Sequence, residues 1–225
     1  MIVHQGIYLP DGETHLTAWM TKAGELVDGR GTYQVKKLRT ALEHVRQFRT
    51  AIDVGGHCGL WSMHLAKRFQ HVDAFEPVAA HRECFRLNVK ADNVTLHACA
   101  LGAKDGGHVV MKTEPTSSGD SYPDPSRPVT RELGLPAHAV PMRSLDALHL
   151  ANVDFIKIDC EGYEMFVLEG AVETIKTNWP TIIVEQKPGH AQRFGFGEKD
   201  AVPFLMSMGY KLARELSGDF VMVPG

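Results

Sequence analysis

Ala51-Ile52-Asp53-Val54-Gly55-Gly56-His57-Cys58-Gly59 is the stretch on which the fold turns. Residues 51–54 read as a short buried strand, 55–59 as a glycine-rich turn and 60–69 as the helix that follows. Glycines carry no Cβ, so such a turn lets backbone amides and a helix N-terminus come close to a ligand. The next apolar run, 71–75, ends at Glu76-Pro77, 23 residues beyond Asp53. A carboxylate closing that second strand can accept hydrogen bonds from both hydroxyls of a ribose. Strand, turn, helix, strand and acid in this order predict a nucleoside-containing cofactor, with Asp53, Gly55, Gly56, His57, Gly59, Glu76 and Pro77 as the residues that bind it.

The turn also narrows the cofactor. A nicotinamide-binding turn usually reads GxGxxG, with an apolar residue where Asp53 stands, because an acid there would face a pyrophosphate. This turn reads GGxxG after an acid, and the chain lacks the GxxxxGK[ST] phosphate loop. An acid beside the glycines suits a cationic cofactor without phosphates, S-adenosylmethionine. The plainer alternative for Asp53 is a helix N-cap.

Outward from the turn, segments of strand and helix character alternate from about residue 36 to the end of the sequence, the signature of a parallel sheet covered on both faces. Leu38, Ala41, Leu42, Val45 and Phe48 recur at steps of three and four and predict a helix over 36–48. Further helices are expected at 78–89, 161–176 and 200–208, the last with Pro203 in its first turn. Strands are expected at 94–98, 109–111, 155–158, 181–184, 210–213 and 220–223. The expected fold is α/β and Rossmann-like, a mostly parallel sheet with helices on both faces and an antiparallel C-terminal edge strand. Residues 34–225 make up this domain. Residues 1–33 read as an N-terminal extension, a hairpin of 7–9 with 16–20 around Pro10-Asp11-Gly12. The segment 112–139 is long for a loop and carries Pro115, Pro123, Pro125, Pro128 and Pro136, so it reads as a lid or a solvated loop, with Ser117, Ser118, Gly119, Asp120 and Tyr122 as its polar groups.

Composition bounds the function. The chain has 225 residues, with 24 Lys plus Arg against 27 Asp plus Glu, so one domain can bury a full core and the whole-molecule field does not attract polyanions. RNA would need a local basic patch. No run approaches the ~18 apolar residues of a membrane span, and residues 1–10 lack the layout of a secretory signal. A soluble, cytoplasmic protein that does not engage a membrane is expected. Cys58, Cys84, Cys99 and Cys160 include no CxxC pair, which predicts reduced thiols. None of the 12 His falls in HExxH, and His57 alone is expected near cofactor or substrate.

AIDVGGHCGLWS at 51–62, AFEP at 74–77 and above all DFIKIDCEGYEMFVLEGA at 154–171 resemble the FkbM-type methyltransferase family, whose members carry an IDVGANxGxxS-like turn and a KIDxEGxExxxLxGA segment. The similarity covers roughly residues 50–223. It implies the class I S-adenosylmethionine-dependent methyltransferase fold with a seven-stranded sheet, and usually O-methylation. Gly56-His57 stands where the family has Ala-Asn, and residues 1–33 carry none of its motifs, so the acceptor is not inherited.

The 155–161 segment has its own logic. On a strand, Phe155, Lys157 and Asp159 share one face, and Ile156, Ile158 and Cys160 the other. A lysine in a buried strand demands a partner, and Asp159, Asp53 and Glu185 are within reach. Ligands of open α/β sheets bind beyond the carboxyl ends of the strands, which puts Asp159 and Glu161 at the rim. Asp159, Glu161 and Lys157 are the catalytic candidates, with a carboxylate at the end of the fourth strand positioning and deprotonating an acceptor hydroxyl. The alternative is that the two acids cap the following helix, as Glu164 is expected to do. The acceptor is expected to be a small molecule or glycan. A magnesium-like cation held by Asp159, Glu161 and Glu185 is a further reading. Two alternative functions are a ribose 2′-O-methyltransferase of RNA, using Lys36 or Lys37, Asp159, Lys187 and Glu215 as a Lys-Asp-Lys-Glu set, and a non-catalytic S-adenosylmethionine-binding module. Trp61 reads as core, and Tyr33 as either packing or a cover over the methyl-transfer site.

Overall fold

The computed structural model describes residues 1–127, 129, 136 and 139–225. Its centre is a seven-stranded sheet of β1 (Thr50–Val54), β2 (His71–Phe75), β3 (Val94–His97), β4 (Val153–Ile158), β5 (Thr181–Glu185), β6 (Tyr210–Leu216) and β7 (Asp219–Pro224), in the order β3-β2-β1-β4-β5-β7-β6. The ladders from β3 through β5 are parallel, and β7 runs antiparallel to both β5 and β6. The antiparallel C-terminal strand is therefore not at the edge, as expected, but inserted beside β5. Its run Phe220-Val221-Met222 is buried, whereas Leu212 on β6 is exposed, so burial favours β7 inside and β6 outside.

Strand alternation divides the core in two. Ile52, Ile156, Ile158, Ile182 and Val184 face one helical layer, with Leu168, Ile175 and Leu205. Ala51, Phe155, Ile183 and Val221 face the other, with Leu38, Trp61 and Leu65. The helices are α1 (His15–Ala23), α2 (Val35–Leu42), α3 (Ser62–Leu65), α4 (Ala79–Asn88), α5 (Glu164–Glu169), α6 (Val172–Asn178) and α7 (Ala201–Ser207). The single helix expected over 161–176 is broken. Gly170 passes so close to the chain at Gly102 that a Cβ would lie 2.1 Å from its carbonyl oxygen, and the helical path ends and restarts there.

Residues 1–33 differ from expectation in pairing. Ile7–Leu9 pairs with Ile2–His4, not with 16–20, through a Gln5-Gly6 turn in which both residues have positive φ, the geometry of a tight hairpin. Leu16 and Met20 instead lie one turn apart on the buried side of α1, and Glu13 accepts the Leu16 N–H at 2.7 Å. The expected strand at 109–111 belongs to a second sheet, ordered Tyr122–Pro123, His108–Lys112, Ala139–Arg143, Ala100–Leu101. Part of the long 112–139 connection is thus sheet, and Pro128 lies outside the described residues. Among the described residues no helix is long and apolar enough to cross a membrane.

Candidate active site

A cavity of about 1060 Å³, open solvent at its mouth included, lies beyond the carboxyl ends of β1, β2 and β4. Gly55, Gly56 and His57 form its floor, Glu76 and Pro77 one wall and Asp159 and Glu161 the opposite rim. The glycine turn is held by its neighbours. Gly55 and Gly56 both donate to the Phe75 carbonyl (3.1 and 3.0 Å) and His57 N donates to Glu76 Oε2 (2.8 Å). Those amides are therefore spoken for, and the turn offers close approach of bare backbone rather than free N–H groups. Gly55 has φ +76°, and a Cβ there would sit 2.0 Å from the Asp159 carbonyl oxygen. His57 also has positive φ, +47°, a region in which Asn, Asp and His are enriched over other side chains. That shared tolerance explains why His can stand where the family has Asn.

Glu76 is 4% exposed. Beside His57 N, it accepts the Val78 N–H at 2.7 Å through Oε1, which also lies 3.3 Å from His81 Nδ1. Each carboxylate oxygen has further acceptor capacity, so Glu76 can meet a ribose from the cavity wall. Two expected binding residues do not line the cavity. Asp53 is fully buried beneath the turn, where Oδ2 accepts the Ser62 hydroxyl at 2.7 Å and Oδ1 lies 3.4 Å from Lys157 Nζ. Side chains alternate along β1, and the face that carries Asp53 points under the turn. Gly59 faces Val89 and Phe85, and a Cβ there would fall 2.5 Å from Val89 Cγ2. Both residues support the turn from behind.

Lys157 ties β4 to this turn. Its Nζ lies 3.4 Å from Asp53 and 3.6 Å from Asp159, and donates to the Gly55 carbonyl at 2.8 Å. Burial disfavours its charge, but Asp159 and Asp53 hold its pKa above the ordinary lysine value. Glu185, expected as a third partner, is instead 2.9 Å from Lys187 Nζ, which is also 3.3 Å from Glu161 Oε1. Burial and then the nearby Asp159 charge push the Glu185 carboxyl up. Asp159 goes the other way: burial opposes its charge, and Lys157 and Lys187 overcome that, bringing it to about 2. One oxygen each from Asp159, Glu161 and Glu185 come within 4.8 Å of one another, close enough for a cation. The Lys187 ammonium already supplies a positive charge there.

Glu161 has φ +56° and is 5% exposed, with Oε2 2.8 Å from His190 Nδ1. Glu164 secures its turn, since Oε1 accepts the N–H groups of Cys160 and Gly162 at 2.9 and 3.0 Å. Burial raises the Glu164 carboxyl to about 7. Tyr33 lines the cavity, and burial together with the Asp159 charge raises its phenol. Trp61 is 4% exposed and belongs to the core, with one edge at the cavity. The Lys-Asp-Lys-Glu set is not assembled. Lys36 is exposed, Lys37 is paired with Asp219, and Glu215 sits on the edge strand β6, half exposed and 3.3 Å from Lys199. Sequence reading passed over Glu13 and His190, which reach the site only through contacts distant in sequence. Ser118, Gly119 and Asp120 of the long connection roof the cavity.

The sheet order, the antiparallel seventh strand and a cavity at the first glycine turn define a class I methyltransferase fold. Residues 53–212 match the methyltransferase FkbM domain, and the chain belongs to that family, whose cofactor is S-adenosylmethionine. Methyltransferase 1 of Beauveria bassiana (strain ARSEF 2860) is 28% identical over 142 residues, 53% of this chain and 57% of that protein. The crystal structure of Methyltransferase FkbM from Methylobacillus flagellatus KT superposes with a TM-score of 0.54 at 17% identity, covering 78% of this chain and 43% of that one. N-methyltransferase NodS from Bradyrhizobium japonicum WM9 in complex with S-adenosylhomocysteine gives 0.47 at 10% identity, covering 84% and 82%. The chain therefore spans 57% of the length of the Beauveria protein and 43% of the Methylobacillus chain.

Proposed function

We propose that this chain transfers a methyl group from S-adenosylmethionine to a hydroxyl of a small molecule or glycan. The observation that carries the reading is Asp159: it follows directly on β4 at the cavity rim, its backbone carbonyl packs on the Gly55 turn, and two lysines keep its carboxylate ionised beside the cofactor's floor. Gly55, Gly56, His57, Glu76 and Pro77 hold the nucleoside, with Asp53 and Gly59 as supports. The bound sulfonium supplies an electrophilic methyl and a neutral leaving group. What the protein adds is alignment, the main need of an in-line displacement.

Asp159, with its low pKa, is a hydrogen-bond acceptor that orients the hydroxyl rather than a strong base. Glu161 takes the proton as the oxygen–carbon bond forms, with His190 behind it. The acidic rim disfavours a polyanion, which weighs against RNA. The test is methyl transfer by wild type, Asp159→Asn and Glu161→Gln on a panel of monosaccharide, lipid-linked sugar and phenolic acceptors. Turnover should fall about 100-fold or more in each variant while S-adenosylhomocysteine still binds. Wild type that binds this compound yet methylates no hydroxyl acceptor points to the non-catalytic module. Unchanged turnover in both variants removes the assignment.

A further inference from the structure

Glu13 lies outside the stretch matched by the family and yet reaches the cofactor turn. The N-terminal segment and the 114–121 loop are zipped together above the cavity: Thr14 N and His15 N both donate to the Thr116 carbonyl at 3.1 Å. At the centre of this seam Glu13 is 2% exposed and Ser118 3%. Glu13 Oε1 accepts the Leu16 N–H at 2.7 Å, and Oε2 accepts the Ser118 N–H at 2.6 Å and the Ser118 hydroxyl in a still closer contact. Ser118 Oγ in turn lies 2.8 Å from His57 Nε2.

Proton counting fixes the direction of this chain. Both carboxylate oxygens of Glu13 accept backbone N–H groups, and the Ser118 hydroxyl donates to Oε2. Ser118 has one hydroxyl proton, and the close contact with Glu13 consumes it. Its oxygen can then only accept from His57, so Nε2 must carry the imidazole proton and Nδ1 must be bare. Nδ1 has no protein hydrogen bond among the described residues, and His57 is one of the residues that line the cavity. The backbone N–H of the same residue donates to Glu76, the acid placed for the ribose.

We propose that Glu13 is a positioning residue: through Ser118 it locks His57 in the Nε2–H tautomer, so that Nδ1 accepts a hydrogen bond from a donor on the bound nucleoside. An imidazole free to exchange tautomers would present a donor there part of the time and lose that bond. The relay makes the N-terminal segment part of the cofactor site. Neutrality of the ring is consistent with this, since burial, His81 and Lys157 all hold His57 well below its usual pKa. The inference rests on the cofactor occupying this cavity.

Ser118→Ala cuts the relay but leaves the Ser118 N–H bond to Glu13, so the seam stays closed, and Ser118→Thr restores the hydroxyl. Two readouts are needed: the ¹⁵N resonances of the His57 ring in the full chain, and calorimetric affinity for S-adenosylhomocysteine. In wild type Nδ1 should resonate as an unprotonated nitrogen. In Ser118→Ala the ring should move toward a mixture of tautomers and affinity should fall about threefold to tenfold, the size of one neutral hydrogen bond, with both recovered in Ser118→Thr. A protonated Nδ1 in wild type, or Ser118→Ala that keeps wild-type affinity, overturns the proposal while leaving the cofactor site intact. Wild type that takes up no S-adenosylhomocysteine overturns the cofactor placement itself.

Discussion

Lys157 and Asp53 face each other in register across the β4–β1 ladder, Nζ 3.4 Å from Oδ1, with both side chains buried. The pair sits under the glycine turn and couples β4, which leads into Asp159, to β1, which leads into that turn. Removing one partner strands a charge in the interior. Lys157→Met should therefore cost about 3 kcal/mol or more in urea unfolding. A loss within the few tenths typical of a surface change would mean that the pair is dispensable to the fold.

In the proposed reading, Glu76 is the wall residue that receives the ribose. Glu76→Ala removes a charged acceptor and also frees His57 N and Val78 N. Calorimetry with S-adenosylhomocysteine should show affinity reduced about 10-fold to 100-fold, the range for hydrogen bonds to a charged group. Retained affinity would place the ribose elsewhere.

The Glu164 carboxyl, raised from 4.5 to about 7 by burial, makes stability depend on pH in a definite direction. Between those values the folded chain keeps the proton that the unfolded chain has released. Its contribution is present in full below the unfolded pKa and is lost as pH rises through 7. Glu164→Gln keeps the one oxygen that accepts from Cys160 and Gly162 and cannot ionise. The drop in unfolding free energy from about pH 5 to pH 8 should shrink in the variant by on the order of 1–3 kcal/mol. Parallel pH profiles for the two proteins would contradict the shift.

With Lys187 Nζ 2.9 Å from Glu185 and 3.3 Å from Glu161, the acidic rim carries its own cation. Methyl transfer should be unaffected by a chelator such as EDTA and unstimulated by magnesium. Activity lost on chelation and restored by a divalent ion would instead give Asp159, Glu161 and Glu185 to a metal.

The sheet was legible because its strands are short apolar runs: β1, β2, β4 and β5 lie within two residues of their expected limits. The ion pairs of Lys157 were legible for the same reason, since strand parity puts Lys157 and Asp159 on one face. That parity also buries Asp53 on the inner side of its turn, and motif reading, which ranks residues by position in a pattern, cannot see which way a side chain leaves the strand. Helix 161–176 failed on a contact 68 residues away, Gly170 against Gly102. The Pro10-Asp11-Gly12 turn was readable but not what it joined, because Leu16 and Met20 fit either a strand or a helix until Glu13 is seen accepting the Leu16 N–H in the first turn of the latter. The roof from Glu13 to Ser118 spans 105 residues, and no local periodicity reports it.

A crystal structure of the chain with S-adenosylhomocysteine bears most directly on the whole account. The ribose hydroxyls should lie on Glu76, the nucleoside should cross the Gly55-Gly56-His57 turn, and the sulfur should face Asp159 across open space for an acceptor. Density for the compound away from Glu76, or a sulfur turned from the β4 rim, would contradict it.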